Sequence, residues 1–194
     1  MKKPTQRHLQ AENRRNQLLD LALALFAERG VENVSIKNLA AEAQVAQGLI
    51  YYYFESKDAL LMAVFQRHNP FPQVQAIIKE ISRLPVQEGL LLFARRLAEL
   101  LPEKRSIYRV LLHELISPRT KLWTEARISQ AETVQVLSQY FQQRIDAGEL
   151  RQHEPVIPIQ MLISSFLISL MAEQPLDLLG PQLVETILDG IRAS

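Results

Sequence analysis

The stretch VSIKNLAAEAQVAQGLIYYYFESKDALL, residues 34–61, decides how the rest of the chain is read. At its centre stand four consecutive aromatic residues, Tyr51, Tyr52, Tyr53 and Phe54. A helix turns by about 100° per residue, so four large rings in a row sweep most of its circumference and cannot all enter one core. With Ile50 and Phe54 inside, four apart on one face, Gln47 and Tyr51 turn outward and Gly48 and Tyr52 flank them. An outer face of two amphipathic rings, an amide and a gap suits a nucleic-acid groove. Phenol hydroxyls bond phosphate oxygens, and an amide offers a donor and an acceptor to base edges. The alternative is a short amphipathic helix with irregular aromatics at a domain boundary.

The flanking residues favour the first reading. Ser35 can cap a helix whose apolar positions are Ile36, Leu39, Ala40 and Ala43, with alanines small enough to let a second helix approach. Gln44, Val45 and Ala46 then form a short break before the aromatic helix. Two short helices joined by a tight turn, the second presenting polar and aromatic groups, are the pattern of a helix-turn-helix. Downstream, Ser56 can cap a further helix whose Lys57 sits in the first turn, where the helix dipole already favours an anion such as phosphate. The DNA-contact candidates are therefore Gln47, Gly48, Tyr51, Tyr52 and Lys57, with Ser35 and Lys37 in second rank.

Residues 34–61 resemble the DNA-binding signature of tetracycline-repressor-type (TetR family) regulators. The resemblance extends back through LLDLALALFAERG, residues 18–30, similar to the first helix of that family and ending in its usual glycine. It covers about the first third of the chain and lapses beyond. Gln47 stands where the family often has Lys or Thr, and Leu49 where it often has Thr or Ser; both departures bear on which operator is read. The resemblance implies an all-α fold, with an N-terminal three-helix helix-turn-helix domain and a C-terminal helical domain for ligand binding and dimerisation.

Composition is compatible with this. At 194 residues and 47% hydrophobic content the chain can bury a real core, which argues against disorder. It has no cysteine, so disulfides and thiolate metal sites are excluded. Net charge is only +1, but it is unevenly placed: Lys2, Lys3, Arg7, Arg14 and Arg15 face a single acid, Glu12, before residue 16. Residues 1–15 thus read as a basic arm that adds phosphate contacts, against the alternative of a solvated tail. No targeting segment opens the chain, and the most apolar run, Val156 to Ala172, is short and interrupted by Pro158, Gln160 and three serines. The expectation is a cytoplasmic protein with no membrane span.

The remainder reads as helix punctuated by proline. Helices are expected at Ala11 to Arg29, Lys57 to Gln66, Gln73 to Arg83, Val86 to Leu101, Lys104 to Ile116, within Arg119 to Ala147, along the apolar run, and at Gln182 to Arg192. The Asn69-Pro70-Phe71-Pro72 break marks the domain boundary, which gives an arm at 1–15, a helix-turn-helix domain at 16–66 and a helical domain at 67–194. The Lys57 to Gln66 helix then appears as the one covalent route by which a bound effector reaches the reading head.

The motifs of common catalytic chemistries are missing. The four histidines have no i, i+4 histidine partner, and there is no nucleophile elbow, phosphate-binding loop or dinucleotide glycine pattern, so neither enzyme, metal nor cofactor is expected. His113 beside Glu114 points about 100° away from it and makes a poor acid–base dyad. An effector pocket lined by Phe93, Leu97, Tyr108, Arg109, His113 and Trp123 is expected in the second domain, against the alternative that the apolar members are plain core. A helix apolar on nearly all sides must be buried on nearly all sides, so 138–145 and 156–172 call for a second copy, through Leu137, Phe141, Leu162, Ser165, Phe166 and Ser169. Together these imply a homodimeric repressor that leaves a near-palindromic duplex DNA operator when a small molecule binds. An activator, an effector-independent regulator or a helical interaction module are the alternatives.

Overall fold

The computed structural model describes residues 6–116 and 120–192. Among them the chain forms ten α-helices and no strand, apart from an isolated antiparallel bridge between Leu150 and Arg192. The helices group into two compact units. One comprises the chain up to Asn69 together with Ser106–Glu125, and the other Pro70–Arg105 together with the chain from Ala126 onward. This differs from the single boundary expected near residue 66. Proline breaks show where a helix stops, but not which helices pack together, and the grouping returns 106–125 to the N-terminal unit.

In the first unit, α1 (Gln6–Arg29) buries Leu18, Leu19, Ala22, Leu25, Phe26 and Ala27. It starts five residues earlier than expected, so the described part of the basic arm, including Arg7, Arg14 and Arg15, is helix; Lys2 and Lys3 lie outside the described residues. Gly30 ends α1 at φ +80°, the left-handed conformation that a glycine reaches without a Cβ penalty. α2 (Ile36–Glu42) is tied to it by an ion pair of 3.0 Å between Arg29 and Glu42. α3 (Gln47–Tyr53) follows, then α4 (Lys57–His68), which packs along α1. Asp20 fastens that contact, lying 3.0 Å from Arg67 and 3.1 Å from His68. The second segment of this unit holds most of α7 (Arg105–Ile116) and the first turn of α8 (Lys121–Asp146). Buried Glu114 there accepts hydrogen bonds from the Thr120 backbone N–H, at 3.2 Å, and hydroxyl, at 2.8 Å.

The second unit contains α5 (Phe71–Ile81), α6 (Val86–Glu103), the rest of α8, α9 (Val156–Met171) and α10 (Leu176–Ile191). α10 begins at Leu176 and runs through Pro181, where a break was expected. Pro181 removes one donor, but it and Asp177, whose carbonyl loses that partner, are both exposed, so water can take the place of the missing N–H. The α10–α6 contact is close at Gly180, where an added Cβ would lie 3.2 Å from Ala94 Cβ and from Phe166 Cζ. Arg144 of α8 gathers the ends of neighbouring helices: it donates to Leu84 O at 3.2 Å and Ser82 O at 3.4 Å and pairs with Glu149 at 2.9 Å. The other Glu149 oxygen accepts from Val86 N–H at 2.6 Å, supplying the N-terminal cap that Pro85 cannot.

A Cβ placed on Gly89 would overlap the hydroxyl oxygen of Tyr140, a side chain only 2% exposed and so unable to swing away. That hydroxyl has no hydrogen-bond partner among the described residues. Gly89→Ala is expected to cost about 1–3 kcal/mol of stability by overpacking. Tyr140→Phe is expected to be neutral or mildly stabilising, and the double variant should lose less than the two changes summed. Urea melts test this; strict additivity would break the assigned contact. Burial pushes the Tyr140 hydroxyl up to about 12. Its contribution to stability is therefore complete below the ordinary tyrosine value near 10 and lost as pH rises from there toward 12, a loss that Tyr140→Phe should reduce.

Candidate nucleic-acid interface

The helix-turn-helix is built by capping. Ser35 Oγ accepts from Asn38 N–H at 3.1 Å while Asn38 Oδ1 accepts from Ser35 N–H at 3.1 Å, a reciprocal box that starts α2. The Ser35 hydroxyl also bonds Asn38 Oδ1, so this candidate phosphate contact is committed to the cap. α2 ends in a pair of reversed bonds, Val45 N–H to Ala40 O at 3.0 Å and Gln44 N–H to Ala41 O at 3.1 Å. Gln44 holds the left-handed position at φ +54°, which turns the chain sharply into α3 without a glycine.

On α3, Ile50 is fully buried and Phe54, just past its end, is 4% exposed, whereas Tyr51 is 52% and Tyr52 78% exposed. Gln47 and Gly48 are exposed beside them, and a Cβ at Gly48 would meet nothing within 4 Å, leaving open space between the amide and the rings. Tyr53 is half-buried and stands edge-on to Tyr52 with ring centres 5.1 Å apart, which props the outer ring. The Arg15 guanidinium lies 5.1 Å from the centre of the Phe54 ring, so α1 braces the end of α3. Ser56 Oγ accepts from Ala59 N–H at 3.0 Å and starts α4, placing Lys57 in its first turn, partly exposed; Lys37 is exposed on α2. The arrangement offers an amide and two phenols on one short helix, flanked by a cation at a helix N-terminus. It can donate to phosphates and present both hydrogen-bond senses to base edges.

The other expected sites are rearranged. Of the six pocket candidates, Phe93 and Leu97 are core of the second unit, while Tyr108, Arg109, His113 and Trp123 belong to the first. Arg109 and His113 are exposed, Tyr108 is buried, with burial pushing its hydroxyl up, and Trp123 is half-buried. Within the second unit a cleft of about 430 Å³ opens between α6 and α10, lined by Leu91, Ala94, Ala98, Leu176 and Pro181 with Arg95, Glu99 and Asp177; none of the six expected residues lines it. The route expected to be carried by α4 alone is also corrected, because α7 and α8 each run from one unit into the other.

The expected dimer contacts lie mostly inside their own chain. Leu137, Phe141, Leu162, Phe166 and Ser169 are all buried within their own chain, and Ser165 is half-buried. The exposed face of α9 instead carries Ile157, Met161, Ser164 and Ile168, a stripe spaced four, three and four residues apart. Their mean direction lies about 150° around the helix from that of Leu162 and Phe166. The outward stripe of α8 opens with exposed Ile128 and is polar beyond it, through Glu132, Gln135, Gln139 and Gln142.

Residues 18–64 match the model of bacterial regulatory proteins of the tetR family. Among curated relatives, the chain is 33% identical over 94 residues to the HTH-type transcriptional repressor KstR of Rhodococcus jostii (strain RHA1), a match covering 41% of this chain and 44% of that one. The matched segments span less than half the length of the first curated relatives. Two solved structures share the fold over nearly their whole length. The regulator FadR from Bacillus subtilis, in complex with stearoyl-CoA, has a TM-score of 0.72 at 22% identity, covering 91% of this chain and 99% of that one. The ketosteroid regulator KstR2 of Mycobacterium tuberculosis has 0.74 at 20% identity, covering 93% and 96%. Among the described residues no helix is long and apolar enough to cross a membrane. The capped helix-turn-helix, the aromatic face of α3 and the family match converge on one segment: residues 18–64 are similar to the DNA-binding region of bacterial regulatory proteins of the tetR family.

Proposed function

We propose that the protein is a sequence-specific DNA-binding transcriptional regulator, a homodimeric repressor that leaves a near-palindromic operator when a small molecule binds. The observation that carries the DNA-binding part is the outward face of α3, where Gln47, Gly48, Tyr51 and Tyr52 stand exposed over a buried Ile50 and Phe54. A helix that spends two large rings on solvent while its own core is complete is suited to a partner surface. A second copy is favoured by the exposed α9 stripe and by geometry, since one short helix reads too few base pairs for a unique site. Repression and effector release are supported by relatives named as repressors and by a solved fold neighbour that holds stearoyl-CoA. Such a regulator works in the cytoplasm, alongside the DNA, and the relatives' names supply no enzymatic role.

The test is enrichment of duplexes from a randomised pool, followed by binding of variants. Gln47→Ala is expected to cost about 1–3 kcal/mol on the enriched duplex and little on random DNA, because a base edge loses its partner. Lys57→Ala should weaken both alike and lower the salt slope by about 0.9 for each phosphate contact removed. Equal losses on enriched and random duplexes for Gln47→Ala would remove base reading from that residue.

A further inference from the structure

We propose that the effector is a small amphipathic carboxylate and that it seats in the cleft between α6 and α10, its apolar body between the helices and its carboxylate on Arg95. The proposal deepens the effector-release reading and rests on it for the consequence on DNA, while the binding itself stands on the second unit alone. The cleft follows from side-chain size. On α6 its lining residues Leu91, Ala94, Arg95, Ala98 and Glu99 recur at three- and four-residue intervals, a single face of the helix. Two of them are alanines. On α10 the facing wall is Leu176, Asp177 and Pro181. The helices approach closely at Gly180 and Ala94, and beside that contact the short alanine side chains leave about 430 Å³ unfilled. That volume lies within the roughly 300–1,000 Å³ of small-molecule sites, which are mostly apolar with a few polar groups that fix orientation.

Charge at the rim selects the ligand. Three ionised side chains line the cleft: Arg95, Glu99 and Asp177. Glu99 is engaged by Arg96 at 3.2 Å, and Arg96 also pairs with Glu80 at 3.0 Å. Asp177 sits in the first turn of α10, where the free N–H groups and the helix dipole already stabilise a carboxylate. Arg95 has no such counterpart. Among the described residues no carboxylate pairs with it, although Asp177 lines the same cleft. Its exposed guanidinium is a planar fork that takes a carboxylate through two parallel hydrogen bonds, at the edge of an apolar floor that would hold a hydrocarbon body. An amine would instead meet Asp177 and Glu99, both already stabilised, and would leave Arg95 unanswered.

The test is calorimetric titration of the full chain with decanoate and 4-phenylbutyrate, a chain and a ring, against decanol and decylamine. At least one of the carboxylates is expected to bind about tenfold tighter than decanol or decylamine. Arg95→Gln should remove that advantage and leave decanol unchanged, whereas Arg83→Gln, at an exposed position outside the cleft, should change nothing. Ala98→Phe, which fills the cleft, should abolish binding in a chain that its melt shows to be folded; if that variant does not fold, Arg95→Gln decides alone. Carboxylate binding that survives Arg95→Gln, a preference for decylamine, or no carboxylate binding at all overturns the site. The bound carboxylate should also lower affinity for the enriched duplex about tenfold in the wild type and not in Arg95→Gln. A carboxylate that binds through Arg95 without weakening the duplex overturns the effector role and leaves the DNA reading standing, whereas a wild-type chain that binds no duplex at low salt overturns the DNA reading itself, and the effector role with it.

Discussion

Phe166→Asp is expected to unfold the second unit. The side chain is 1% exposed and its ring reaches the α10–α6 contact, where it stands 3.2 Å from the position a Gly180 Cβ would take. A carboxylate there would be buried at the close contact of Gly180 with Ala94, and it would also leave part of the ring's volume empty. The expected loss exceeds about 4 kcal/mol, enough to consume much of the stability of a domain of this size. Urea or thermal melts of the purified variant check it. A variant that folds with a near-native melt and merely becomes monomeric would restore Phe166 to the interface suggested by the apolar run of α9.

Ile168→Asp combined with Met161→Asp is expected to do the opposite: leave each chain folded and separate the dimer. Ile168 is 68% and Met161 49% exposed, so neither aspartate is forced into the protomer's own core. Two copies meeting along Ile157, Met161 and Ile168 across a two-fold axis would bring like charges together in an apolar seam, which neither hydrogen bonds nor counter-ions compensate. With the reading heads no longer linked, affinity for a two-half-site operator should drop by about a hundredfold to ten-thousandfold, while random-sequence binding changes far less. Sedimentation and titration of the enriched duplex read the two effects. A double variant that still sediments as a dimer, or a wild-type monomer that binds a palindrome tightly, would remove α9 from the interface. The contrast with Phe166→Asp is the sharper measurement, since residues two apart on one helix then give unfolding in one case and dissociation in the other.

Local chemistry was readable directly from residue order. Ser35 and Ser56 are capping residues because an N-terminal hydroxyl satisfies an otherwise orphaned N–H, and Gly30 ends α1 because the left-handed conformation there is easiest without a Cβ. Likewise, four successive aromatics at helical spacing have to divide between core and surface, and Ile50, Phe54, Tyr51 and Tyr52 divide as that constraint requires. These are interactions over a few residues, so sequence by itself determines them. The rotation of α9 was not of that kind. With apolar side chains on almost every side, its sequence carries no preferred inner face, and packing against α6 and α10 goes with burial of Leu162, Phe166 and Ser169 while Ile157, Met161 and Ile168 stay in solvent. In the same way, helix propensity predicts that α7 forms but not that Ser106–Glu125 groups with the N-terminal helices, and charge counting finds Arg7, Arg14 and Arg15 but not the helix that carries them. Tertiary structure decides such questions because they depend on which surfaces meet across long separations in sequence, a competition among packings that local periodicity leaves open.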